Sequence, residues 1–187
     1  MYRNELLDAL EQLGERCPPE SEIVLAGGAA LILGGYIERG TSDGDVIDAD
    51  PRLTEIADLV AEVADERRLP GTWLNDGVRG FLDVLPPDYR HRLEEVATFE
   101  NLRVLRLGRL DLIVMKFFAL RPQDLEDLAS LAPLADEIEF VRGQLERIAR
   151  ARPDRAFRMQ LYLDQGASLY ARPAAPGEDH VKSGGDG

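Results

Sequence analysis

Asp43-Gly44-Asp45 is the first feature of the sequence able to do chemistry. On an extended strand, residues i and i+2 point to one face, so the two carboxylates stand side by side. Like charges that close repel unless a cation lies between them. Oxygen-only donors of this kind suit Mg²⁺ or Mn²⁺, held together with substrate phosphates. The alternative is a plain acidic loop. A calcium-binding loop is excluded by spacing, although Asp43, Asp45, Asp48 and Asp50 crowd together. Its sixth position is Asp48 where glycine is required, and its twelfth is Thr54 where glutamate is required.

Three other features bear on the same chemistry. Gly27-Gly28, where a strand turns into a helix, exposes backbone N–H groups and carries no side chain to keep a phosphate away. The spacing is neither a dinucleotide fingerprint nor a P-loop, and tight strand–helix packing would also account for the pair. Lys116 sits in Leu112-Ile-Val-Met-Lys-Phe-Phe-Ala-Leu120, where every other residue is apolar. It must either snorkel out or meet an anionic partner, because an unpaired buried ammonium is costly. Twenty arginines and two lysines, Lys116 and Lys182, make up the basic residues. A lysine at 116 therefore suggests a compact charge suited to a phosphate. Finally, Arg121-Pro-Gln-Asp124-Leu-Glu-Asp127 opens a helix with Asp124 and Asp127 at i, i+3 on one face. Charge complementarity at a helix start explains Asp124 alone, and Asp127 less readily. Cys17 and His91 have no neighbours that build a nucleophile–base scheme.

The elements that must position these residues follow from periodicity. Residues 2–16 carry leucines at helical spacing, residues 22–26 form a short buried strand, and 29–33 an apolar helical turn. A loop over 38–42 leads into a second strand at 43–47, and a helix is predicted over 51–68. Residues 70–87 read as short helices and loops. Two strands are predicted at 94–99 and 102–107, followed by helices at 110–120, 122–131, 135–150 and 153–170. Strands in the first two thirds and helices in the last argue for an α+β or α/β fold: a small mixed sheet flanked by helices, with a helical C-terminal subdomain. The expected organisation is a core over 1–115, helices over 116–172, and a disordered Pro- and Gly-rich tail over 173–187.

Composition bounds the rest. The 187 residues carry a formal net charge of −13, which removes the footprint of a general nucleic-acid binder. An RNA acceptor would need a local arginine patch, for which Arg103, Arg106 and Arg109 are the candidates. No apolar run is long enough to span a bilayer, the first residues lack the apolar run of a signal peptide, and the single cysteine excludes an internal disulfide. A cytoplasmic protein with no membrane partner is the expectation.

Strand, Gly27-Gly28, short helix and then Arg39-Gly-Thr41-Ser-Asp43-Gly-Asp45 together resemble the signature of the nucleotidyltransferase superfamily. The block from Asp111 through Lys116, Arg121, Asp124 and Asp127 resembles the Lys-then-Arg-x-x-Asp-x-x-Asp block of one branch of it. That branch holds minimal nucleotidyltransferases of uncharacterised function and is similar to the toxins of type IV toxin–antitoxin systems. The resemblance spans residues 20–135 and implies transfer of a nucleoside monophosphate from an NTP to a hydroxyl of RNA or protein, with an antitoxin as a further partner. It implies that Gly27, Gly28, Arg39, Thr41, Arg121 and Asp124 bind the nucleotide. Asp43 and Asp45 would bind Mg²⁺ or Mn²⁺, Lys116 would neutralise phosphate charge, and Asp127 would orient Lys116 or assist the acceptor. Two departures support a second reading, a degenerate member that binds a nucleotide or protein without turnover. Gly44 replaces an apolar strand residue, and 102–107 lacks the third carboxylate many members carry, although Glu94, Glu95 and Glu100 are near in sequence.

Overall fold

A computed structural model describes residues 1–170. Its centre is β1, Ser21–Ala26, in which every residue but Glu22 is buried, the pattern of a strand covered on both faces. β2 (Gly44–Asp50) pairs antiparallel with β1 on one side, and β5 (Leu102–Arg106) pairs parallel on the other. The two-residue β3 (Leu74–Asn75) lies parallel to β2, and β4 (Glu94–Phe99) runs antiparallel to β5, giving the order β3-β2-β1-β5-β4. This mixed sheet flanked by helices is the fold class expected from the sequence. The antiparallel pairing sets Ala26, the last residue of β1, opposite Asp45 near the start of β2. The glycine turn and the aspartate pair therefore meet where β1 ends and β2 begins.

Helices cover the sheet because their apolar stripes have nowhere else to go. Leu6, Leu10 and Leu13 of α1 (Arg3–Gly14) join Leu25, Leu31, Ile47, Leu102 and Leu112 in one core, each fully or almost fully buried. Each such leucine is worth about 2 kcal/mol of transfer free energy. α2 (Gly27–Leu33) follows β1 directly, and α3 (Ala57–Arg67) packs on α1. α4 (Arg109–Ala119) contacts α2 and carries α5 (Pro122–Leu131), α6 (Ala135–Ala151) and α7 (Pro153–Tyr170).

The sequence expectation differs from the structure at three places. The helix expected over 51–68 starts only at Ala57, because Glu55 and Ile56 close tight turns on the carbonyls of Arg52 and Leu53 and the Glu55 carboxylate accepts from Arg52 N at 2.9 Å. The stretch 70–87 contains β3, too short to show any periodicity. Trp73 anchors it by donating from Nε1 to the Val60 carbonyl at 3.0 Å. Third, Arg103, Arg106 and Arg109 do not form a free patch. Arg103 meets Glu22 and Glu95, Arg106 is buried against Glu94 opposite it on β4, and Arg109 meets Glu137. The tail expected at 173–187 lies outside the described residues.

Arginines also fasten elements that lie far apart in the chain. Arg92 grips the fully buried Asp111 of α4 through two hydrogen bonds of 2.9 Å, and Arg109 grips Glu137 of α6 at 2.7 and 3.0 Å. Arg147 of α6 donates to the carbonyls of Asp83 and Val84. Burial lifts the Asp111 carboxyl above its usual range, and the Arg92 hydrogen bonds pull it partly back. Removing one partner from such a pair strands a buried charge. Arg92→Ala is expected to lose about 3 kcal/mol in urea denaturation at pH 8. The loss should narrow as the pH falls and Asp111 takes up a proton.

Candidate active site

Gly27 sits at φ +58, a backbone conformation that favours glycine. A Cβ there would lie 2.2 Å from Asp45 Oδ2, and one on Gly28 would lie 2.9 Å from the Thr41 hydroxyl. The two glycines thus make room for protein side chains as well as for a ligand. Thr41 Oγ1 donates to the Asp43 carbonyl at 3.0 Å, and Thr41 N donates to the Met1 carbonyl at 2.9 Å, which fixes the loop leading into β2.

Asp43 immediately precedes β2 and Asp45 is its second residue, so the strand expected over 43–47 starts one residue later and runs on to Asp50. Asp43 accepts from Ser42 Oγ at 3.0 Å and from Asn75 Nδ2 at 3.3 Å. Among the described residues neither aspartate takes part in an ion pair. Burial raises the Asp45 carboxyl above its usual range, and the Asp43 charge adds to this, while Arg121, Lys116 and Asn75 act in the opposite sense. Gly44, read from sequence as a weakness, has a packing role. Its N–H donates to the Trp73 carbonyl at 2.6 Å, and a Cβ would meet Leu74 Cδ1 at 3.0 Å. A side chain at 44 would therefore require the Leu74 side chain of β3 to shift. Asn75 is the site residue that sequence reasoning missed. It pairs with Asp45 across β2 and β3, and its one sequence signal, the Asn75-Asp-Gly77 turn, does not reveal the pairing.

Lys116 neither snorkels out nor stands unpaired. It is 5% exposed, and its Nζ lies 2.8 Å from Asp124 Oδ1 and 2.7 Å from Asp127 Oδ2. Both aspartates belong to α5 and are buried. Arg39, from the loop before β2, holds Asp127 Oδ1 at 2.8 Å. Arg121 holds Asp124 Oδ2 at 2.7 Å, while the Arg121 backbone N–H donates to the same oxygen at 3.0 Å and caps the helix. Burial alone would raise the Asp124 carboxyl, but hydrogen bonds from Arg121 and Lys116 outweigh it and set it below the usual range. The result is an alternating chain of charges, Arg39–Asp127–Lys116–Asp124–Arg121.

A cleft of about 580 Å³ gathers these groups. Gly27, Gly28, Arg39, Thr41, Asp43, Asp45, Lys116 and Arg121 line it, whereas Asp124 and Asp127 lie behind Lys116 and face smaller adjoining pockets. A family model described as a nucleotidyltransferase of unknown function (DUF6036) matches residues 4–155. The chain belongs to that family. No curated protein and no solved structure matches it.

In this nucleotidyltransferase-family fold the adjacent carboxylates that could hold a cation are Asp43 and Asp45. No cluster of three or more His, Cys, Asp or Glu side chains occurs among the described residues. Two carboxylates with no protein cation bonded to them fit Mg²⁺ or Mn²⁺, which take one or two protein carboxylates and fill the remaining positions with phosphate and water. They do not fit a structural zinc centre. On the β5 side, Leu105 and Leu107 are buried, and Glu94 and Glu95 sit on β4, three strand spacings or roughly 14 Å from β2.

Asp45 carries a charge that its surroundings disfavour, so its raised carboxyl costs stability in full above its folded pKa, and the cost fades as the pH falls from there through the ordinary carboxylate range. In metal-free buffer Asp45→Asn should melt above the parent protein at pH 8. The gap should close as the pH falls and Asp45 is protonated.

Proposed function

We propose that the chain is a metal-dependent nucleotidyltransferase that moves a nucleoside monophosphate from an NTP to a hydroxyl of RNA or protein. The observation that carries this reading is the convergence of Gly27, Asp43, Asp45 and Lys116, from three separate segments, on one cleft. Asp43 and Asp45 would hold the cation, which when bound would supply charge neutralisation at the triphosphate and acidify the attacking hydroxyl. Gly27 and Gly28 admit the phosphates to the backbone, beside Thr41. The Arg39 and Arg121 side chains line the cleft and are 37% and 69% exposed, and so can hold phosphate oxygens while paired to aspartate. Asp127 and Asp124 fix Lys116 so that its remaining N–H meets charge developing on the phosphates. Catalysis of this kind is mostly positioning and electrostatics. No helix of the described residues is long and apolar enough to cross a membrane, and the proposed site of action is the cytoplasm, where NTPs are supplied. In a toxin–antitoxin setting the antitoxin would be the partner that restrains the activity.

Incubation with α-labelled NTPs, Mg²⁺ and cell extract should label an acceptor, and Asp45→Ala should lower the signal at least a hundredfold. No labelling with any of the four NTPs would overturn the reading.

Buried Leu105 and Leu107, in place of a third carboxylate beside β1, favour a second reading: a member that binds a nucleotide or protein without turnover. Calorimetry separates the two. Triphosphate binding that strengthens at least tenfold with Mg²⁺ supports the transferase, and metal-independent binding supports the degenerate form.

A further inference from the structure

A second groove, of about 360 Å³, opens beside the cleft and shares Arg39, Gln123 and Glu126 with it. Tyr36 and Ile37 form its apolar part, and the exposed Ser130 adds a hydroxyl. Tyr36 is held in place by the guanidinium groups of Arg106 and Arg109, each 5.3 Å from its ring centre. Those arginines bring no free charge, since Glu94 and Glu137 pair with them. Arg39 and Asp127, which also line the groove, cancel one another. Glu38 and Glu126 remain as exposed carboxylates with no cation on them among the described residues.

We propose that this groove seats the acceptor and that the acceptor is a polypeptide hydroxyl flanked by basic residues. The inference rests on the transferase reading and assigns the substrate class of the same site. A polyanion is disfavoured there on two grounds. Its phosphates would face Glu38 and Glu126 at short range, inside the Debye length of about 8 Å at physiological salt. The candidate arginines that could offset them are spent on internal carboxylates, so few counterions would be released on binding. A basic peptide gains from both features, because Glu38 and Glu126 attract its cations while the groove's own guanidinium, Arg39, is already paired with Asp127. In the transfer, the acceptor Ser, Thr or Tyr oxygen bonds to the α-phosphorus of the NTP and the bond to the β-phosphate oxygen breaks. Pyrophosphate leaves, and the hydroxyl proton passes to water in the open cleft.

The test uses the full chain with Mg²⁺, α-labelled NTP and three acceptors: a Ser/Thr/Tyr peptide flanked by arginines, the same peptide flanked by glutamates, and a mixed-sequence RNA. Labelling should favour the arginine-flanked peptide over the other two by at least tenfold in kcat/KM. The double variant E38K/E126K should reverse the preference between the two peptides. Fluorescence anisotropy of the labelled peptides without NTP should show the same order and the same reversal. Preferential labelling of RNA overturns the acceptor assignment and leaves the transferase reading standing. Equal binding of both peptides, or a preference that E38K/E126K does not move, also overturns it. If the anisotropy order holds while no NTP is turned over, the transferase reading fails, and with it the groove's role as an acceptor site.

Discussion

Lys116 cannot remain charged inside the apolar face of α4 without company, and most of the site's architecture follows from that constraint. An ammonium with so little exposure costs several kcal/mol unless anions surround it. Two aspartates from α5 supply the anions, and they in turn are buried and need Arg39 and Arg121. Because each charge answers the next, the buried members Lys116, Asp124 and Asp127 are not stable alone, and the chain of five fixes three segments relative to one another: the loop before β2, α4 and α5. Breaking any link leaves a buried charge exposed to its own desolvation cost. The fold and the site therefore share the same fasteners.

Much of this was legible in the sequence, and the limits are physical. The i, i+2 spacing of Asp43 and Asp45 and the i, i+3 spacing of Asp124 and Asp127 are local geometry, so a strand and a helix convey them directly. The helices at 122–131 and 153–170 match the structure residue for residue, because Pro122 and Pro153 open them and the apolar period runs unbroken. Arg39 was legible as a motif member, but its partner Asp127 lies 88 residues away, and no local pattern encodes that distance. Asn75 was invisible for a related reason. A strand of two residues has no period, and its place beside Asp45 is set by the β2–β3 pairing, which no local pattern encodes.

Arginine usage tells the same story at the scale of the whole chain. Read as composition, twenty arginines in an acidic protein could be a surface for a polyanion. In three dimensions many of them act as planar, forked connectors between elements, Arg92 to α4 and Arg109 to α6 among them. The guanidinium suits such work because two of its N–H groups can face one carboxylate at once. The lysine at 116 is the exception because its task is different: a single point charge shared by two carboxylates and the cleft.

Gly27 and Asp45 are coupled by space alone, since the carboxylate occupies the volume that a methyl group on the glycine would need. That gives the family a record of its own history. In a lineage that keeps the aspartate, position 27 is closed to every side chain. Once the aspartate is lost, the steric ban lifts and only the backbone conformation still favours glycine. Relatives that have lost the aspartate should thus be free to vary at position 27, while those that keep it should hold the glycine. Two positions on neighbouring elements are tied by volume rather than by any bond.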